Sequence, residues 1–164
     1  MSVDRTDAGR IVQMAAFRAG DQDYVIDIMR IREIINPLPV TPVHDETGLL
    51  EGVINLRGVI IPVVDLRQRL GLSAAEQTRQ TKIIIATVGA RVVGFRVDEV
   101  LDVVRLPRSH IRPAPRLDEQ REPGLFLGVC EVDQQLLLLL NLKRVLTPAF
   151  FGDEPPDAGS GGEV

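Results

Sequence analysis

The feature that most limits how this chain can fold is a repeat inside it. Sliding the sequence by 76 residues lays Gly52-Val53 on Gly128-Val129, Val63-Val64-Asp65 on Leu139-Leu140-Asn141, Leu66-Arg67 on Leu142-Lys143 and Leu70 on Leu146, without a gap. A second match, at 69 residues, lays Ile28 on Val97, Ile31 on Val100, Glu33 on Asp102 and Ile34 on Val103. Two copies of one unit, the second with seven extra residues between its parts, explain both offsets. A repeated unit buries its apolar face against its neighbour, so a tandem of similar units is expected.

Each unit reads as β. Runs rich in β-branched residues predict strands at Ile11 to Phe17, Tyr24 to Ile28, Val53 to Leu56, Val59 to Leu66, Lys82 to Val88, Arg91 to Val97, Leu125 to Val132 and Gln135 to Leu140. Many short strands at close spacing point to a sandwich or barrel. Gly20-Asp21 and Gly89-Ala90 fit two-residue turns between antiparallel strands, with glycine supplying a positive φ. Short helices are expected only at Leu66 to Leu70 and Leu142 to Leu146, which follow Asp65 and Asn141, both good N-caps. Five consecutive leucines, Leu136 to Leu140, favour helix by propensity. Pro62 holds the equivalent place in the first copy, and a proline there fits a bent or edge strand.

Residues 1–9 and 150–164 lack apolar periodicity and are rich in Gly, Pro, Ser and acids, so both are expected to be disordered tails flanking one domain at 10–149. The net charge of −4 is that of the C-terminal tail, whose Asp153, Glu154, Asp157 and Glu163 meet no base. A body near neutrality has no general electrostatic reason to seek nucleic acid or an anionic membrane, so protein partners are expected. The longest apolar run, Leu136 to Leu140, is far below the roughly 20 residues of a membrane-crossing helix. The first ten residues are polar and of mixed charge, so neither a transmembrane segment nor a signal peptide is expected. One cysteine, Cys130, suits a reducing compartment, and the expected location is cytoplasmic.

The chemistry inventory is thin. The chain has no glycine-rich phosphate loop, His-Glu-x-x-His helix, paired-cysteine motif or nucleophile elbow, so no catalytic activity, cofactor or metal is expected. His44 and His110 read as solvated loop residues. Cys130 aligns with Ile54 and reads as a small buried apolar group. Asp65 could be imagined as a base, but Asn141 at its counterpart position favours helix capping for both. Arg105, Arg108, His110, Arg112 and Arg116 form the one stretch where a nucleic-acid hypothesis can start; its three prolines and lack of aromatics favour a solvated connector. A small-molecule sensor or enzyme using a cleft between the barrels is the remaining alternative.

In Gly52-Val-Ile-Asn-Leu-Arg-Gly58, followed by Val59-Ile-Ile-Pro-Val-Val-Asp-Leu-Arg67, two apolar strands meet around Arg57-Gly58. The second copy carries Asp133-Gln134 there, so the scaffold does not demand an arginine, and a plain solvated turn arginine stays an open alternative. This segment closely resembles the signature of the CheW family of bacterial chemotaxis coupling proteins. The resemblance extends through Gly20-Asp-Gln-Asp-Tyr-Val-Ile-Asp-Ile, Ile31-Arg-Glu-Ile, Arg91-Val-Val-Gly-Phe-Arg-Val-Asp and Ile111-Arg-Pro-Ala-Pro, over roughly residues 11 to 148.

The resemblance implies a mostly β fold of two intertwined, five-stranded, SH3-like barrels around a shared core. It implies a scaffold without catalytic activity that joins transmembrane chemoreceptors to the histidine kinase CheA at receptor arrays of the inner membrane. By the same resemblance, Glu33 and Arg57 match positions implicated in partner contacts. Ile31, Gly52, Gly94, Val100 and Val103 match positions implicated in coupling or receptor binding. Simple core packing accounts equally well for Ile31, Val100 and Val103, and close backbone approach for Gly52 and Gly94. The tip Arg57-Gly58 has no counterpart in the second copy, so it is the part of the hairpin expected to carry function. Ala15-Ala16 stand where the family usually has bulkier residues, which marks that strand as a weakly packed edge or a shallow partner surface.

Overall fold

The computed structural model describes residues 9–114 and 124–146; both expected tails, apart from Gly9, lie outside the described residues. Ten strands follow in order: β1 (Ile11–Ala19), β2 (Gln22–Asp27), β3 (Ile31–Ile35), β4 (Leu50–Leu56), β5 (Val59–Asp65), β6 (Lys82–Val88), β7 (Arg91–Val97), β8 (Glu99–Pro107), β9 (Phe126–Val132) and β10 (Gln135–Leu140). Two short helices, α1 (Leu66–Arg69) and α2 (Leu142–Leu146), follow β5 and β10. The strands form two five-stranded sheets, β8-β1-β2-β10-β9 and β3-β6-β7-β5-β4.

The repeats do not fold separately. The first copy runs from β1 to α1 and the second from β6 to α2, yet each sheet takes two strands from one copy and three from the other. The register carries both offsets. The pair Met14↔Asp27 of β1–β2 becomes Ile83↔Arg96 of β6–β7 at 69, and Gly52↔Val63 becomes Gly128↔Leu139 at 76. The two parallel joints are also equivalent, Val25 meeting Leu139 in one sheet and Gly94 meeting Val63 in the other. Even the bulges recur, at Ile31/Glu33 and Ala15/Phe17 and at Leu50/Gly52 and Leu139/Leu140.

Turn chemistry explains the hairpins. Gly20 (φ 65°) and Gly89 (φ 61°) open the two-residue turns of β1–β2 and β6–β7, with positive φ at the first central position as a type II′ turn requires. The β4–β5 and β9–β10 turns have positive φ at both central residues, Arg57-Gly58 and Asp133-Gln134, the type I′ geometry.

Apolar residues form one shared core and two local ones. Phe17, Tyr24, Ile26 and Leu138 from one sheet meet Val64, Ile84, Val93 and Phe95 from the other, closed by Leu66, Leu142 and Leu146 of the helices. Behind this, Met14, Ala16, Val25, Cys130 and Leu137 pack inside the first sheet, and Ile54, Ile61, Val63, Ile83 and Ile85 inside the second. Cys130 and Ile54 thus occupy matching buried positions, and burial pushes the Cys130 thiol upward in pKa. Polar contacts also cross between copies. Asp98 accepts from the Gly20 N–H (2.8 Å) and from Arg67 Nη1 (2.6 Å), while Arg69 donates to the carbonyls of Val145 (2.8 Å) and Arg144 (3.0 Å) at the end of α2. The last carbonyls of a helix take partners from outside it, as here from Arg69.

Three expectations need correction. Ala15 and Ala16 lie on no edge: β1 runs between β8 and β2, and both alanines are buried, Ala15 in the shared core and Ala16 in the local one. Their size is compensated across the repeat, because Ala16 and Val25 in one local core correspond to Ile85 and Gly94 in the other. Second, β5 is not an edge strand; its ladder with β7 begins at Val63, one residue after Pro62, which has no N–H to give. Third, β3 and β8 escape a strand reading. Their edge positions leave Arg32, Asp102 and Arg105 exposed; β8 loses its alternation, and in β3 burial alternates but polar Glu33 takes a half-buried position and apolar Ile34 an exposed one.

Asp65 caps α1, accepting from the Arg67 N–H at 3.0 Å, as Asn141 accepts from Arg144 N in α2. Desolvation raises the Asp65 carboxyl above its ordinary range, more than the bond from Arg67 lowers it. A raised carboxylate pKa contributes stability only below the ordinary range and loses it as pH rises through the folded value. Asp65→Asn, which copies the second repeat, is therefore expected to match or exceed the parent in urea unfolding at neutral pH, an advantage that disappears below about pH 4. Asp65→Ala, which removes the cap, is expected to cost about 1 kcal/mol at neutral pH.

Candidate functional site

The β4–β5 hairpin puts two non-core groups at its tip. Leu56 pairs with Val59, leaving Arg57 and Gly58 as the exposed turn, and Asn55 Oδ1 accepts from the Gly58 N–H at 2.8 Å to hold it. Arg57 adopts φ 52°, which few non-glycine residues take, so its side chain is aimed by the turn rather than by packing. Its Nη2 pairs with Glu33 Oε2 on β3. Because β3 and β4 are opposite edges of their sheet, this pair shows that the sheet curls until its edges face each other. The pair is exposed, and pairs of that kind contribute about 0–1 kcal/mol. Its charges are thus available on the surface more than they are needed by the fold.

Exposed apolar residues lie next to both members of the pair along the chain. Val59 and Ile60 are 58% and 60% exposed, and Ile34, beside Glu33 on β3, is 40% exposed. Ile60 stays open because the β5–β7 ladder starts only at Val63. Sequence reasoning missed Ile34, Val59 and Ile60 as site residues. The repeat held the signal for Ile34, which is the counterpart of Val103, itself 49% exposed.

The remaining expected site residues separate into two groups. Ile31 and Val100, at matching positions, are half-buried and pack against the shared core, while Val103 lies on the open face of β8. Gly52 and Gly94 are buried and offer no surface to a partner. A Cβ on Gly52 would sit 2.2 Å from the Thr41 carbonyl oxygen, where Thr41 and Val53 exchange two backbone bonds of 2.9 Å that cover the β4 edge. Gly128 lies in the same way under Arg112, which bonds Val129 twice at 2.8 Å. A Cβ on Gly94 would lie 2.9 Å from Ile83 Cγ2.

The matching tip of the second copy has the same backbone and different chemistry. Asn55, Arg57 and Gly58 become Glu131, Asp133 and Gln134, all exposed, with Leu136 (48% exposed) in the place of Ile60. Arg112 approaches Glu131 at 3.9 Å. The cations Arg105, Arg108 and Arg112 and His110 are exposed, as is His44; Arg116 is outside the described residues. No helix among the described residues is long and apolar enough to cross a membrane.

These features define a class: an interlocked pair of five-stranded β subdomains that exposes two hairpin tips of like geometry and unlike charge. The profile of the CheW-like domain matches residues 13–149. The chain is 39% identical over 140 residues to the chemotaxis protein CheW of Rhizobium meliloti (strain 1021), covering 85% of this chain and 89% of that one. It is 30% identical to Protein FrzA of Myxococcus xanthus, covering 81% and 84%. The solved scaffolding protein TtCheW from Thermoanaerobacter tengcongensis superposes with a TM-score of 0.77 at 26% identity, covering 84% of this chain and 93% of that one. The chain belongs to the CheW family.

Gly52→Ala is expected to cost about 3 kcal/mol or more, since backbone, not a flexible side chain, occupies the space. Thermal unfolding followed by circular dichroism checks this. A Gly52→Ala protein as stable as the parent would show that the crossing at Thr41 is looser than described.

Proposed function

We propose that the chain is a cytoplasmic coupling protein that holds the signalling tips of transmembrane chemoreceptors together with the regulatory domain of the histidine kinase CheA, without catalysing a reaction itself. One observation carries the reading: a charge pair, Arg57–Glu33, displayed at a turn where the scaffold does not require it and flanked by exposed Ile34, Val59 and Ile60. Exposed apolar side chains together with a directional charge pair are the composition of a protein-docking surface. Membership of the CheW family and the likeness to a scaffolding protein support it. The two unlike tips further suit a molecule that must engage two different partners at once. Under this reading Val103, on the open face of β8, meets the apolar side of a receptor helix, while Ile31 and Val100, packed against the shared core, act through the fold.

The same surface serves a second reading, a CheW-type adaptor of a non-flagellar chemosensory pathway, which the similarity to FrzA favours. The two differ in which receptors and kinase are engaged, not in mechanism.

Arg57→Glu is expected to keep the fold, with stability within about 1 kcal/mol of the parent, and to lose receptor-dependent activation of the kinase in a reconstituted assay. The charge exchange Glu33→Arg with Arg57→Glu decides what the pair does. Restored coupling means the pair sets the shape of the tip; no restoration means Arg57 itself touches the partner. Normal coupling by a folded Arg57→Glu protein contradicts the assignment.

A further inference from the structure

The chain passes from one sheet to the other at two matching places, and the two joints are built differently. Residues 28–30 lead from β2 to β3, and Asp98 leads from β7 to β8. At the offset of 69, Met29 is the counterpart of Asp98. Asp98 is tied through backbone and side chain. Its N–H donates to the Arg18 carbonyl at 3.0 Å, and its Oδ2 accepts from the Gly20 N–H at 2.8 Å and from Arg67 Nη1 at 2.6 Å. Arg18 and Gly20 belong to the β1–β2 hairpin of one sheet, while Arg67 sits on α1, directly after β5 of the other. Arg67 Nε also donates to the Ser73 carbonyl at 2.7 Å, which sets the direction of the guanidinium. Met29 is 85% exposed and has no carboxylate to bridge with; its turn is held locally, the Met29 N–H donating to Asp27 Oδ1 at 2.9 Å.

The shared core holds the sheets together, but apolar contact is non-directional. A charge-assisted hydrogen bond has both a length and a direction. The Arg67–Asp98 bond therefore clamps the angle between the sheets at one of their two joints. That angle sets how two surfaces lie relative to each other. β8, which starts one residue after Asp98, carries Val103, and β5, which ends one residue before α1, carries Val59 and Ile60 beside the Arg57 tip. Two partners on one small molecule are engaged together only when its two surfaces are held in compatible geometry.

We propose that Arg67 and Asp98 are positioning residues for coupling, which touch neither partner and hold the open face of β8 at a fixed angle to the Arg57 tip. The proposal rests on the reading of the chain as a coupling protein that uses those two surfaces. Its content is that coupling needs a set geometry between them, beyond the affinity of each.

The test compares the full chain with its Asp98→Ala and Asp98→Asn variants. Asparagine keeps an oxygen that can accept from Gly20 and Arg67, so it is the conservative replacement. Nitroxides at Arg32→Cys on β3 and Arg105→Cys on β8, both exposed, report the distance between the sheets by pulsed dipolar spectroscopy. Cys130 is buried with a raised thiol pKa, so the labels go to the new sites. A narrow distance distribution is expected for the parent and for Asp98→Asn, and a broader or displaced one for Asp98→Ala. In a reconstituted assay, Asp98→Ala is expected to bind the receptor signalling domain and the kinase regulatory domain separately with the parent's affinities. At saturation it is expected to give about tenfold less receptor-dependent kinase activation, most of which Asp98→Asn restores. An unchanged distance distribution in Asp98→Ala overturns the proposal. So does loss of either separate affinity, which is the mark of a general structural defect. Should Asp98→Ala not fold, Arg67→Met, which leaves the Asp98–Gly20 bond in place, carries the same expectations. A parent without receptor-dependent activation overturns the coupling reading and this proposal with it. A parent that couples, beside an Asp98→Ala protein that couples equally well, overturns this proposal alone.

Discussion

Exchange of strands between the two repeats is the constraint on which the structure depends. Four ladders join one copy to the other: β1 with β8, β3 with β6, and the short parallel joints of β2 with β10 and β5 with β7. Neither copy can complete a sheet alone, since each gives three strands to one sheet and two to the other. The shared core follows from this together with two short connections, residues 28–30 between β2 and β3 and Asp98 between β7 and β8, which join strands of different sheets and hold the sheets together. The polar links made by Asp98 and Arg69 cross the same boundary.

Within that frame, backbone and side chains divide the work. The backbone repeats down to turn type and bulge, while side chains differ in compensating pairs in the cores and freely at the tips. Ala16 with Val25 against Ile85 with Gly94 keeps the volume of a local core; Arg57 against Asp133 keeps nothing but the turn. A position that the scaffold holds in shape but not in identity is where function can be placed at least cost to folding. The tip is such a position, and the buried glycines beneath the hairpin are not.

Much of this was legible in the residues. The offsets of 76 and 69 set the register of every equivalent ladder, and Gly52, aligned with Gly128, marked a backbone crossing in both copies. Strands β3 and β8 were hidden because edge strands with an open face lose apolar density, and their residue types no longer follow a period of two: Glu33 is half-buried while Ile34 is exposed. The exchange itself left no trace in periodicity, since a strand pairs in the same alternation whichever copy supplies its neighbour. Ile60 could not be read as exposed, because that depends on where the β7 ladder stops, a matter of Pro62 seen in three dimensions. Ala15-Ala16 misled for a related reason: small residues suggest a weak edge until the Val25 packed beside Ala16 is known.

The central claim is that the interlocked copies unfold as one unit, and native-state hydrogen exchange across a urea series tests it most directly. The amides of Val25 and Ile26 report on the first sheet and those of Ile84 and Phe95 on the second. The account predicts one opening free energy and one urea dependence for all four, since neither sheet can open without removing strands from the other repeat. Two separate isotherms, with one sheet opening at clearly lower free energy while the other stays protected, would contradict it.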